Sequence, residues 1–219
     1  MIVSCERLHF DDRQSWLRGR RRGLGASDAA SVMGLSPWKS NLQLWLEKTG
    51  QAQGLELDGN EAVELGKSLE SPVRQIFAVK HPEYEVEYYP YDILYQPERP
   101  WLFATLDGEL LEKATGRHGI YEGKSSRCGK RSDWAKWRGQ VPSYYFCQVC
   151  HQMLATGADF AWLAAFLLNL EGDACEYREY YFERSEHTDD IELVLEREIR
   201  FMGYVQSNEM PPIVLNGLN

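Results

Sequence analysis

The chain has no run of about 18 consecutive apolar residues, the length that crosses a bilayer, so no membrane span and no membrane partner are expected. Its opening residues, MIVSCERLHFDDRQ, are too polar for a secretory signal. Together these absences lead to the expectation of a cytoplasmic protein. Cysteine is sparse and odd in number: Cys5, Cys128, Cys147, Cys150 and Cys175 in 219 residues. A disulfide framework is therefore not expected. Cys147 and Cys150 form a C-x-x-C, the spacing of zinc, iron–sulfur and redox sites, but no second C-x-x-C is present. They are expected to be helix-packing thiols, since free cysteine tends to be buried. No internal repeat or low-complexity segment stands out, so there is no sign of a repeat array.

Positive charge is also short. Lys and Arg number 24 against 33 Asp and Glu, for a net charge of −9 and a pI near 5.1. Taken alone this argues against nucleic acid, because phosphate binding needs local positive charge. The distribution argues the other way. Arg18, Arg20, Arg21 and Arg22 crowd into WLRGRRRG, and Lys124, Arg127, Lys130, Arg131, Lys136 and Arg138 into KSSRCGKRSDWAKWR, so ten of the 24 bases occupy two short windows. From Glu171 to Glu209 acids outnumber bases twelve to four. A basic groove with an acidic back fits this pattern; two solvated loops is the plainer alternative.

What is present is enough apolar material for a core: 43% hydrophobic and 12% aromatic residues. The length suits one compact domain, 1–219, with a helical N-terminal region over about 1–80 and a sheet-centred core over about 81–219. GASDAASVMGLSPW reads as a short helix capped by Ser27 and ended by Gly34, and SNLQLWLEKTG as one capped by Ser40 and ended by Gly50. GNEAVELGKSLESPVRQIFAVKHP keeps helical spacing, with Pro72 as a kink or a second start. YEVEYYPYDILYQ, WLFATLDGELL and GIYEGKSS each read as a strand. SYYFCQVCHQMLATG reads as a helix, AWLAAFLLNL as a buried strand or helix, EYREYYFE as a strand and EHTDDIELVLEREIRFMGYVQS as an amphipathic helix. The order implies a mixed α/β domain with a central sheet flanked by helices.

Within GIYEGKSSR, Glu122 and Lys124 are two apart on a strand and share a face. The preceding strand carries Asp107, and the loop EKATGRHG joins the two. A hairpin symmetric about Thr115 and Gly116 sets residue 107 opposite 124, with Glu122 its diagonal neighbour. Two carboxylates and a lysine converging on a sheet suit a hard divalent cation such as Mg²⁺, and such ions can clamp a phosphodiester under attack. Lys124 would orient the attacking water or offset transition-state charge. The plainer alternative is a cross-strand salt bridge.

Several stretches together resemble the lambda exonuclease, or YqaJ-type viral recombinase, family of PD-(D/E)XK nucleases. They are WLRGRRRGLGASDAASVMGLSPWKSNLQLWLEKTG, GKSLE, ATLDGEL, YEGKSS and PSYYFCQVCHQM, in family order from Trp16 to Met153. The resemblance implies a restriction-endonuclease-like core in a single nuclease domain. It implies Asp107 and Glu122 as metal-binding acids with the carbonyl of Gly123, Glu70 as a helical acid reaching the metal, and Lys124 as the catalytic lysine. It implies Gln148 and Tyr145, in P-x-x-Y-x-x-Q, as helix residues beside the cleft. It implies Arg20, Ser27 and Thr105 as a pocket for a DNA 5′-phosphate, with Arg21 and Arg22 as rivals to Arg20. Thr105, two residues before Asp107, would share its strand face. His151 is read as a packing or surface residue. The motif proline is missing, since Leu106 precedes Asp107. The implied activity is Mg²⁺-dependent 5′–3′ digestion of double-stranded DNA, with Mn²⁺ able to substitute and no iron–sulfur cluster. The implied partners are DNA ends, a single-strand annealing protein and two further copies in a ring-shaped trimer, in a phage or prophage setting in a bacterial host. An endonuclease on the same core, a nuclease-like fold that only binds DNA or protein, and an iron–sulfur protein are the competing readings.

Overall fold

A computed structural model describes residues 5–53, 61–169 and 174–214. The expected helix start at residues 59 and 60, and residues 171–173 of the acidic tail, lie outside these. The chain folds as mixed α/β with two sheets rather than one. Strands β1 (Glu6–His9), β2 (Leu24–Gly25), β4 (Asp92–Tyr95) and β5 (Leu102–Ala104) form a small sheet in the order β1-β4-β5-β2. Strands β3 (Tyr84–Glu87), β6 (Gly108–Glu112), β7 (His118–Arg127), β8 (Phe160–Leu168) and β9 (Cys175–Glu183) form the large sheet in that order. The large sheet is mixed, because β7 and β8 run parallel while its other neighbours are antiparallel.

Three sequence expectations change here. The first eighty residues are not only helical, since β1 and β2 belong to the small sheet. YEVEYYPYDILYQ divides into β3 and β4, in different sheets, around Pro90 and Tyr91, whose φ of 62° turns the chain out of extended geometry. WLFATLDGELL likewise divides into β5 and β6. Thr105 and Asp107 both lie in the gap between them, so the expected shared strand face is absent. A period-two pattern cannot reveal these breaks, because it registers extended backbone and not the sheet that backbone joins.

The helices mostly follow their local chemistry. Helix α1 (Arg13–Arg20) is capped by Asp12, whose side chain accepts the Ser15 N–H. In α2 (Ala26–Val32) the cap is Gly25, whose N–H donates to Asp28; Ser27 is an exposed first-turn residue instead of the cap. The helix ends as expected near Gly34, φ 72°. Ser40 caps α3 (Asn41–Lys48) by accepting the Gln43 N–H. Helix α4 (Glu61–Lys80) runs through Pro72 without a second start. Helix α5 (Arg131–Ala135) precedes α6 (Ser143–Thr156), which ends at Gly157, φ 73°. Helix α7 (Thr188–Ser207) is the expected amphipathic one. Among the described residues no helix is long and apolar enough to cross a membrane.

Alternation on β7 and β8 divides the core in two. Ile120, Ala161, Leu163 and Ala165 face α6 with Met153 and Cys150, whereas Tyr121, Phe160 and Ala164 face α4 with Val73 and Phe77. Cys147 and Cys150 are buried in the α6 layer as packing thiols, and burial pushes the Cys147 thiol up to about 11. His151 is fully buried. One ring nitrogen lies 2.6 Å from Glu198 Oε1 on α7 and the other 2.8 Å from the Phe103 carbonyl on β5. The Phe103 carbonyl can only accept, so Nε2 carries a proton, and a Glu198 carboxylate facing Nδ1 favours the imidazolium form. Burial opposes this charge, but Glu198 and the carbonyl carry the pKa upward.

Candidate active site

The site forms where β7 outruns β6. The last β6 pair is Gly108 with Tyr121, so from Glu122 onward β7 has no strand on that side among the described residues. A carboxylate fills the gap: Asp107 Oδ2 accepts the Gly123 N–H at 2.9 Å. Arg74, one turn after Glu70 on α4, donates to the Asp107 carbonyl at 2.7 Å and lies 4.1 Å over the Tyr88 ring, which fixes the turn into β6.

The observed register corrects the expected hairpin. Extended by one residue, it sets Asp107 opposite Glu122 rather than Lys124. The loop spans residues 113–116, and Gly116 (φ 72°) is its last residue, not its centre; its N–H donates to the Glu112 carbonyl. The error is two residues in the partner strand, an even number, so the face is preserved and convergence survives.

Glu122 is 2% exposed, yet both its oxygens are hydrogen-bonded. Lys124 Nζ and Gln148 Nε2 donate to Oε1, and Gln152 Nε2 donates to Oε2. Gln148 and Gln152 are one turn apart on α6 and share a face. Gln152 escaped the sequence reading although the Q-x-x-x-Q spacing in QVCHQ carries it. Tyr145 lies one turn before Gln148, and its ring sits 5.2 Å from Lys124 Nζ. It is a wall for the ammonium, not a hydrogen-bond partner of Glu122.

Electrostatics binds the set. Burial, then the neighbouring Glu122, push the Asp107 carboxyl up to about 7, against the pull of Lys124. Burial also raises Glu70, which Glu122 pushes further and Lys124 opposes. Burial disfavours the Lys124 ammonium, but Glu122 and Asp107 more than compensate and hold it charged. Three carboxyl groups thus act electrostatically on one lysine, which contacts Glu122 directly, an excess of negative charge that a divalent cation would relieve. Among the described residues no three His, Cys, Asp or Glu side chains gather tightly enough to enclose an ion by themselves. The oxygen-rich chemistry of the Asp107 and Glu122 carboxylates is the kind that hard Mg²⁺ prefers.

The second expected cluster lies at the end of a strand pair. β2 and β5 are parallel neighbours, with Gly25 beside Phe103, and Ser27 and Thr105 each follow two residues later. Arg20 is half-buried with its guanidinium 4.6 Å over the Trp16 ring, and one of its nitrogens is 3.8 Å from where a Cβ on Gly25 would sit. Arg21 and Arg22 are exposed. Asp28 is taken by Lys48 at 2.8 Å, so it does not neutralise Arg20 by contact.

Residues 15–159 match the model of the YqaJ-like viral recombinase domain. The uncharacterized protein YqaJ of Bacillus subtilis (strain 168) is 30% identical over 189 residues, covering 86% of this chain and 55% of the relative. The chain therefore spans about half the length of that relative. Among solved structures, the alkaline exonuclease LHK-Exo of Laribacter hongkongensis superposes with a TM-score of 0.68 at 18% identity, covering 90% of this chain and 94% of that one. A phage-related exonuclease from Haemophilus somnus 129PT gives a TM-score of 0.54 at 12% identity, with 85% and 96% covered. At such identities the likeness speaks for a shared fold. With two thirds of its residues matched by one family model and a relative of the same kind, the chain belongs to the YqaJ-like viral recombinase family.

Proposed function

We propose that the protein is a Mg²⁺-dependent exonuclease that digests the 5′ strand of double-stranded DNA and leaves a 3′ single-stranded tail. The observation that carries this is the pairing of Glu122 with Lys124 beside Asp107, which accepts the Gly123 N–H, at the open edge of β7, with Glu70 in electrostatic reach. Membership of a recombinase family and the exonuclease fold of its neighbours support the choice of substrate. Asp107, Glu122 and the Gly123 carbonyl would hold Mg²⁺, with Glu70 reaching it from α4. When bound, the ion supplies Lewis-acid activation of the phosphodiester and of water.

The chain's own groups do the rest. Gln148 and Gln152 fix the plane of the Glu122 carboxylate, so its oxygens are oriented before substrate arrives. Lys124, held charged by its two acids and walled by Tyr145, offsets negative charge as the phosphorus becomes five-coordinate and orients the attacking water. Arg20, with the hydroxyls of Ser27 and Thr105, would take the 5′-phosphate, for which a guanidinium fork is well suited. A trimeric ring around the duplex and delivery of the tail to a single-strand annealing protein belong to the same reading, by resemblance to the family.

The test is a time course on end-labelled linear duplex and on a covalently closed circle, with and without Mg²⁺. The expected result is Mg²⁺-dependent shortening of the linear DNA, faster with a 5′-phosphate than a 5′-hydroxyl, and an intact circle. Cleavage of the circle would make the enzyme an endonuclease; an inert protein would leave only the binding role. Arg20→Ala should reduce the 5′-phosphate preference, and loss of that preference in Arg21→Ala or Arg22→Ala instead would move the pocket.

A further inference from the structure

An exposed tryptophan stands beside the candidate active site with no role in the chemistry above. Trp38 is 62% exposed, more than any other Trp, Tyr or Phe among the described residues. Its loop is firmly held. Gly34 turns the chain with φ 72°. The buried Ser36 Oγ then accepts the N–H groups of both Trp38 and Lys39, at 3.3 and 3.2 Å. The Lys39 ammonium pairs with Glu47 on α3 and ties down the far end. A loop secured this way presents the indole to solvent by construction.

The indole is the outer member of a stair of rings. It meets Tyr144 edge-on at 4.9 Å, Tyr144 meets Tyr145 at 4.5 Å, and Tyr145 lies 5.2 Å from Lys124 Nζ. Three aromatic steps therefore lead from solvent to the lysine. Along the neighbouring segment Arg127, Lys130, Arg131 and Arg138 are exposed, and none forms an ion pair among the described residues. Trp137, within this basic segment, packs against the same stair with its ring centroid 5.5 Å from that of Tyr145, so the cations and the rings adjoin. Aromatic faces bordered by free cations, next to a site suited to a phosphodiester, match the bases and backbone of a single nucleic-acid strand.

We propose that Trp38 and Tyr144 form a stacking platform for an unpaired base of the DNA strand entering the site at Lys124, a reading that rests on the nuclease function proposed above. The platform holds that strand away from its complement while the adjacent phosphodiester is cut. It reads no sequence, because every base has an aromatic face.

Two measurements test this, one of them independent of cleavage. In EDTA, a single-stranded oligonucleotide should quench the intrinsic fluorescence of the wild type and of Tyr144→Phe, and most of that quench should vanish in Trp38→Phe. In Mg²⁺, 5′-phosphorylated duplexes carrying one abasic nucleotide at successive positions from the 5′ end are digested at limiting concentration. The wild type should slow about tenfold when the abasic nucleotide reaches one particular position, the size of a lost base–aromatic stack. Trp38→Ala should be about tenfold slower on intact DNA, through KM, with no further loss from the abasic nucleotide. Trp38→Phe should stay within about threefold of wild type and keep the position dependence. An equal quench in Trp38→Phe, or an abasic penalty in Trp38→Ala as large as in wild type, overturns the platform. A wild type that degrades no DNA defeats the nuclease reading instead, and the quench then decides the platform alone.

Discussion

Asp107 has two duties that conflict. It replaces a missing strand by accepting the Gly123 N–H, and it is a carboxylate buried beside Glu122. Its carboxyl is raised from the ordinary value to about 7, so between roughly pH 4 and 7 the folded protein binds this proton more tightly than the unfolded chain does. Stability from this group is present at low pH and lost as pH rises through 7. Asp107→Asn cannot ionise. In EDTA its melting temperature should exceed that of wild type, by a margin that widens from pH 5 to pH 8; a constant margin would contradict the assignment. The same variant should cleave no DNA. Lys124→Ala should lose about 10²–10³-fold in rate, as expected when one transition-state donor is removed, while duplex binding measured by anisotropy persists. Residual activity near wild type would remove Lys124 from the site. Part of this residue-scale picture was legible, because E-x-K on a strand declares itself through period two, although Asp107 lies just before β6 and not on it. Gln152, Arg74 and the missing strand opposite Gly123 were not, since each depends on contacts between segments far apart in sequence.

At the scale of elements, α6 is the hub. One face gives Gln148 and Gln152 to Glu122, another packs Cys147 and Cys150 into the core, and His151 ties it to Glu198 on α7 and Phe103 on β5. That tie is a charge pair with both partners fully buried. Glu198→Ala strands a buried imidazolium and should destabilise the fold by about 3–5 kcal/mol, seen as a fall in the urea midpoint. A change below about 1 kcal/mol would mean that His151 is neutral. The sequence showed α6 and its end at Gly157 clearly, because helical spacing and a glycine stop are local signals. It did not show His151 as an ion-pair partner, since Glu198 lies 47 residues away. The strands divide the same way. β7 and β9 were legible, whereas the splits of β3 from β4 and β5 from β6 were not, because choosing a sheet is a non-local event. The hairpin register failed by two residues for a local reason: Gly116 closes the loop instead of centring it.

At the scale of the whole molecule, a net charge of −9 coexists with locally concentrated bases, ten of the 24 in two short windows. Arg127, Lys130, Arg131 and Arg138 are exposed on the segment that follows Lys124, whereas the acids of α7 lie on a helix that packs its apolar side against α2, α3 and α6. Binding should therefore weaken steeply with salt despite the acidic pI, as counterion release from a local cluster requires. A flat salt dependence between 50 and 200 mM would exclude the basic segment from the interface. All of this rests on the acids around Lys124 taking up a divalent cation. Calorimetric titration of Mg²⁺ into the wild type, Asp107→Ala and Glu122→Ala tests it most directly. Saturable uptake by the wild type and its loss in both variants is the predicted result; no uptake by the wild type, or equal uptake by all three, would contradict it.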